Sequence, residues 1–405
     1  MGDLTELRFA CGSRVHWKPE RRAQVSRSQL WENRVSPDLS RGFRKQVCGG
    51  PAARTIKGME MRRRLSELGS QLRSRDQILA LGTSARELEQ AVSSGKLRRL
   101  RRGWYADGEV WRILHAEDRH LMRVVAAARA AIRQPVFSHV SAAALHGLPL
   151  YRHEGTRVHT IGPTPAFARS STRVLQHAAV IEEAEVQFIG PLKFTCLERT
   201  VIDVARTESP ELSVACADAA ARLAREGSET HQQWITTLSE RLASQPGSPG
   251  NAAARLVFGH ADGSADSALE SVSRLYLRLL RFEVRSQVEV PSPNGATFRV
   301  DFELVGCDVF GEVDGMVKYS DEGILRGRSP HQVVIDEKRR EDWIRGTTGK
   351  RIIRWGASDL VSLETFAGLL RSYGVLPPLV PPHPGSSGSL LRLKGSNSRK
   401  WGPLR

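Results

Sequence analysis

Between residues 62 and 106 the apolar positions recur first at helical and then at strand spacing. Leu65, Leu68 and Leu72 stand three and four apart and predict a first helix. Ser74-Arg75-Asp76-Gln77 has the form of a capping box, so a second helix is expected through Ile78 and Leu79, ending at Gly82. Ser84 and Glu87 repeat the device. Leu88 and Val92 then mark the buried stripe of a third helix, which Gly95 closes. After it Leu97 and Leu100 stand among Lys96, Arg98, Arg99, Arg101 and Arg102, Gly103 turns the chain, and Trp104-Tyr105 start a return strand. Three short helices and a two-stranded ribbon predict a winged helix-turn-helix over 58–110. Its third helix would enter a major groove about 12 Å wide, with Arg86 a candidate to read bases there. The basic strand would neutralise phosphates. The plainer alternative is a solvated basic hairpin on a protein-interaction domain.

From residue 264 onward the pattern changes. Ser267 to Glu270 opens a helix whose apolar face is Val272, Leu275, Leu279 and Leu280. Residues 287–291 read as a strand. In 298–304 Phe298, Val300 and Phe302 alternate with Arg299, Asp301 and Glu303, and in 309–314 Val309, Gly311 and Val313 alternate with Phe310, Glu312 and Asp314. Adjacent antiparallel strands would bring Asp301 near Glu312 and Asp314. Converging carboxylates repel one another unless a cation sits among them, and oxygen ligands of this kind suit Mg²⁺ or Mn²⁺. Such an ion would polarise a phosphate and generate hydroxide for in-line attack, with Lys318 stabilising the developing charge. Each residue also has an ordinary explanation: Glu270 completes a capping box, Asp314-Gly315 is a hairpin turn, and Asp301 and Glu312 are solvent-face positions.

The middle of the chain offers less chemistry. His139, His146, His153, His159 and His177 follow no ligand spacing; His139 and His146 are seven apart, not the four of a zinc helix. Capping and packing roles are expected for them, and structural roles for Asp203 and Asp218.

Charge divides the chain as the motifs do. The formal net charge of the 405 residues is +16. Residues 1–102 carry 23 basic and 10 acidic side chains, and residues 351–405 carry 8 and 2, so the positive charge lies at the two ends. That favours a localised polyanion-binding module over a uniformly basic protein. No apolar run approaches the roughly 20 residues of a membrane span, and the N-terminus lacks a signal-peptide core. Five scattered cysteines without a CxxC pair fit neither a disulfide framework nor a zinc site, which points to a reducing cytoplasm. Residues 1–57 and 376–405 are expected to be disordered basic ends, with Met59 or Met61 as alternative starts. Residues 111–230 are expected as a mixed α/β middle domain and 231–263 as a linker around the Pro/Gly-rich 244–251.

Two resemblances extend these readings. The short helices followed by SSGKLRRLRRGWY, with PVFSHVSAAALHGLPL at 135–150 and GPLKFTCLERTVIDVARTESPELSVACADAAAR at 190–222, resemble the AbiEi-like antitoxins of type IV toxin–antitoxin systems. That resemblance implies promoter DNA as a partner and, for some members, a nucleotidyltransferase toxin. Within an expected domain at 264–375, residues 264–372, from SALESVSR through RVDFEL and GEVDGMVKY to KRREDWIRGTTGKRIIRWGASDL, resemble PD-(D/E)XK nucleases, and among them the very-short-patch-repair-endonuclease-like domains. This implies a restriction-endonuclease-like core, a Mg²⁺-dependent DNA endonuclease activity, Asp301 and Glu312 at the two acidic motif positions, and Glu270 as a helix-borne acid. The third motif position, commonly Lys, is Asp314 here. The expected fold class is therefore α+β and multidomain: a winged helix, a mixed α/β middle domain and a restriction-endonuclease-like α/β core. The rival to an enzyme is an antitoxin-like repressor whose nuclease core is kept for DNA grip or for a homodimer.

Overall fold

The computed structural model describes residues 51–153, 155–162, 170–225, 230–314 and 330–377. Residues 1–50, Lys318 and the tail from 378 lie outside the described residues. The chain divides into one unit up to Leu275 and another from Tyr276. The architecture is α+β, with sheets of three, five and four strands.

The first unit opens on helix α1 (Pro51–Ser70), which buries Met61, Leu65 and Leu68. It starts ahead of the expected boundary at 58, inside the stretch expected to be disordered. Leu72, which spacing placed in the helix, instead opens strand β1 (Leu72–Ser74) and is buried there. Ser74 ends that strand and caps α2 (Arg75–Ala80): its hydroxyl accepts the Gln77 N–H at 3.1 Å, and the Gln77 side chain accepts the Ser74 N–H at 2.8 Å. Ser84 and Glu87 make the same reciprocal pair before α3 (Ala85–Ser93), at 3.2 and 2.7 Å. Each pair satisfies two N–H groups that the helix leaves without partners. Strands β2 (Leu97–Arg101) and β3 (Trp104–Asp107) follow, and Gly103 takes the left-handed φ of +80° in the turn between them. The sheet order is β1-β3-β2, antiparallel throughout. Ile78, Leu88 and Tyr105 form its core, flanked by Val92 and Leu97.

Helices α4 (Gly108–Ile113) and α5 (Ala116–Ala130) lead into a five-stranded sheet. Its strands are β4 (Val136–Phe137), β5 (Val158–Gly162), β6 (Val174–Ala178), β7 (Val186–Ile189) and β8 (Leu192–Thr195), in the order β6-β5-β4-β8-β7. The β5–β6 and β4–β8 pairs are parallel. Helices α6 (His139–Leu145), α7 (Leu197–Thr207) and α8 (Pro210–Arg225) complete this part.

The stretch expected as a linker is instead two helices, α9 (His231–Ala243) and α10 (Asn251–His260). Trp234, Ile235, Leu238 and Leu242 are buried along α9, and Thr230 caps it in a reciprocal box with Gln233. The Pro/Gly-rich turn between them and residues 261–263 after them are irregular. Helix α11 (Ala268–Leu279) then runs across the division of the chain. In the first unit its Arg274 is fully buried and bonded to Asp218 and Asp262, and Asp218 also accepts the Asp262 N–H at 3.0 Å. Asp218 is thus structural, as expected.

The second unit continues with β9 (Val284–Pro291), β10 (Thr297–Leu304) and β11 (Val309–Asp314), then α12 (Pro330–Thr348), β12 (Arg351–Gly356) and α13 (Leu363–Ser372). The sheet order is β12-β11-β10-β9; β10 is antiparallel to both β9 and β11, and β12 lies parallel to β11. Val290, Val300 and Phe310 pack with Ile344 of α12. Trp355 stacks with Phe302 and meets Phe366 of α13 edge-on. The β11 residues Phe310 and Gly311 are both buried, so the alternation expected there does not divide core from solvent. Among the described residues no helix is long and apolar enough to cross a membrane.

Candidate functional site

Three groups of side chains carry potential chemistry. The first is basic. Arg86 on α3 is exposed, as are Lys96, Arg98, Arg99 and Arg102 around β2, while Arg101 is half-buried. Strand β2 is the edge of its sheet. Beside it, the buried Trp111 ring of α4 has the guanidinium carbons of Arg98, Arg119 and Arg123 at 5.9, 5.9 and 4.8 Å. Arg119 is fixed by bonds from Nε to the Trp111 carbonyl at 2.9 Å and from Nη2 to the Arg112 carbonyl at 2.6 Å. Arg173, just before β6, joins them: the charges of Arg98 and Arg99 act on it, and its own charge acts on Arg101 and Arg123. Burial pushes the Arg123 guanidinium down to about 10, helped by the positive charges of Arg98, Arg173 and Arg119. Arginines distant in sequence thus converge on one aromatic ring. Arg119, Arg123 and Arg173 carry no periodic or motif signal. Only the packing of α5 and β6 brings them to the strand.

The second group is the expected carboxylate cluster. The β10–β11 ladder ends at the pair Phe302↔Gly311, so Asp301 and Glu312 lie one residue beyond it on their two strands. There the Asp301 carboxylate accepts the Val313 N–H at 2.8 Å. Glu312 is occupied on both oxygens: Oε1 accepts Arg340 Nη2 at 2.6 Å, and Oε2 accepts Arg354 Nε at 3.1 Å. Arg354 also reaches Glu337 at 2.8 Å and Glu341 at 2.9 Å, and Arg340 reaches Glu337 at 3.1 Å. Burial would lower both arginines, but their acidic partners, Glu312 foremost, outweigh it and raise them. Asp314 is exposed at the end of β11.

Glu270 lies in the first unit and caps α11, accepting the Asp266 N–H at 2.9 Å and the Ser267 hydroxyl at 2.8 Å. Within the second unit, guanidinium groups hold both Glu312 oxygens and a backbone N–H holds one oxygen of Asp301. Among the described residues these carboxylates form no cluster of three converging ligand atoms. The oxygen donors suit Mg²⁺, and in the described arrangement Glu312 is paired with arginine. The arginine partners were missed because Arg340 and Arg354 stand 28 and 42 residues beyond Glu312, on α12 and β12.

The third group is one that spacing did not predict. His139, His159 and His177 each offer a ring nitrogen within 4.8 Å of the other two. His159 lies on β5 and His177 on β6, where the parallel register sets Ile161 opposite His177. His139 opens α6 directly after β4, which pairs with β5 at Phe137↔Thr160. His177 Nε2 and His159 Nδ1 are 3.2 Å apart, and the rings of His139 and His177 stack with centroids 3.5 Å apart. Burial first, and neighbouring positive charge second, push His159 down to about 3 and His177 to about 4. Asp203 lies 3.9 Å from His139 Nδ1 and is held by Arg199 through both carboxylate oxygens at 3.0 Å.

No protein-family model matches this chain, and no curated protein sequence matches it.

Proposed function

We propose that this is a DNA-binding protein. In this reading residues 58–110 work as a winged helix, and the second unit is a restriction-endonuclease-like core that grips nucleic acid without cutting it. The observation that carries the reading is the convergence of Arg98, Arg99, Arg101, Arg119, Arg123 and Arg173 beside the exposed edge of β2. Like charges gathered this closely cost free energy in the isolated protein. A phosphate backbone repays that cost, and arginine stacked on an aromatic ring presents its fork in a fixed orientation. Arg86 would face the groove while the strand tracks the backbone. The pairing of Glu312 with Arg340 and Arg354 supports the non-cleaving form of the reading.

A second reading, a metal-dependent endonuclease, is favoured by one specific observation. The order helix, three antiparallel strands, helix and parallel strand places Asp301 and Glu312 beside the same break in the ladder. Supercoiled plasmid and single-stranded DNA incubated with the full chain and Mg²⁺ or Mn²⁺ separate the two. Binding without nicking is expected. Nicking that disappears in Asp301→Ala and Glu312→Ala would establish the endonuclease instead. Failure to retain duplex DNA at low salt would overturn both readings.

A further inference from the structure

We propose that His139, His159 and His177 form a binding site for a borderline divalent transition-metal ion of the Zn²⁺ class. The donors are all imidazole nitrogens, which suit Zn²⁺, Co²⁺, Ni²⁺ or Cu²⁺ and not the oxygen-seeking Mg²⁺. The 3.2 Å between His177 Nε2 and His159 Nδ1 is close to the separation of about 3.3 Å between two nitrogens bound tetrahedrally at about 2.05 Å from one Zn²⁺. The third imidazole already stacks against His177, and its ligand atom lies within 4.8 Å of the others. The His139 and His177 rings lie nearly parallel, at 12°, and an imidazole binds through a lone pair in its own plane, so His139 turns out of this stack when all three nitrogens meet at one centre. Three protein ligands leave the fourth tetrahedral position for water or an exogenous ligand.

The surroundings are built for orientation. His159 and His177 sit on hydrogen-bonded neighbouring strands, so their spacing is fixed by the sheet. The Ser141 hydroxyl accepts the His159 backbone N–H at 2.8 Å and also bonds His120 Nε2 at 2.8 Å. His139 Nδ1 meets the Ser138 hydroxyl at 3.0 Å and lies near the anchored carboxylate of Asp203. A carboxylate or hydroxyl behind a ligating imidazole is the usual support of such sites. His139 also has a left-handed φ of +50°, a conformation that costs a residue with a β-carbon and persists where the surroundings enforce it. Packing alone would be served as well by apolar rings. The His177–His159 contact is a hydrogen bond in the right tautomer, and an ion bound there would take the place of its proton. His177 is only half-buried, which leaves a route for the ion.

The test uses the full chain, stripped with a chelator. Calorimetric titration with Zn²⁺ is expected to show one tight equivalent. Co²⁺ is expected to give the intense visible bands of a tetrahedral site, which Zn²⁺ abolishes and Mg²⁺ leaves unchanged. His177→Ala and His159→Gln should each weaken Zn²⁺ binding by at least about 100-fold, with far-ultraviolet circular dichroism unchanged. The melting temperature of the unsubstituted protein should rise with Zn²⁺ and not with Mg²⁺, a readout that stands even where a variant fails to fold. Absence of binding, binding unaffected by both substitutions, absence of the melting shift, or competition by Mg²⁺ would each overturn the proposal.

Discussion

Replacing Glu312 with glutamine keeps the side chain's shape and removes its charge, so it separates two accounts of this residue. If Glu312 is chiefly the counter-ion of Arg340 and Arg354, the neutral variant leaves two largely covered guanidinium groups short of an acceptor. The Glu312 side chain is 12% exposed, against 19% for Arg340 and 31% for Arg354. Breaking a fully buried ion pair costs about 3–5 kcal/mol, and an exposed pair is worth less than about 1 kcal/mol. Partial cover by solvent, and the acceptors that Glu337 and Glu341 still provide, place Glu312→Gln at about 2 kcal/mol. For a unit of this size that lowers the melting temperature by roughly 10 °C. The assay is thermal unfolding in chelator, followed by tryptophan fluorescence, with Trp355 reporting from the neighbouring strand. Arg345→Gln, which breaks the exposed pair with Asp342, should shift the same transition by less than about 0.5 kcal/mol. A Glu312→Gln protein as stable as the parent, or more stable, would refute the reasoning. It would mean that the carboxylate is held under repulsion, as a metal ligand awaiting its ion would be.

Three further outcomes follow from the fold. Arg274→Met should destabilise the first unit by about 3–5 kcal/mol in urea titration, because it strands the buried carboxylate of Asp218; a loss under about 1 kcal/mol would contradict this. Gly311→Ala should cost about 1–3 kcal/mol, since a β-carbon there would stand 2.1 Å from the Trp355 ring, and an unchanged urea midpoint would show that the ring moves aside freely. The Glu303 carboxyl is held below its ordinary range, first by its bond to Lys350. Its contribution is therefore fully present above the unfolded value of about 4.3 and is lost as pH falls toward the lower folded value, so Glu303→Gln should flatten the acid limb of stability against pH.

Local devices could be read from the chain, and long-range meetings could not. Ser74 with Gln77 and Ser84 with Glu87 are capping boxes in three dimensions because the signal is complete within four residues. The strands that carry Asp301 and Glu312 were legible for a similar reason: a short apolar-rich run between turn residues marks each, although in β11 the alternation does not divide core from solvent. Residues 231–263 were misread because the Pro/Gly-rich turn at 244–251 overshadowed the helical spacing of Trp234, Leu238 and Leu242. His159 and His177 looked unrelated because a parallel strand pair, which no local pattern specifies, brings them together. The arginines that bind Glu312 and those that surround Trp111 come from separate elements. Their convergence depends on packing that residue spacing does not encode.

The central claim, DNA binding through the arginine cluster, is tested most directly by the salt dependence of duplex affinity. Anisotropy titrations of the full chain from low to moderate salt give the slope of log affinity against log salt. Each arginine–phosphate contact adds about 0.9 to that slope, so Arg98→Gln with Arg173→Gln should reduce it by about 1.8 and weaken binding at every salt concentration. An unchanged slope and affinity in the double variant would contradict the account.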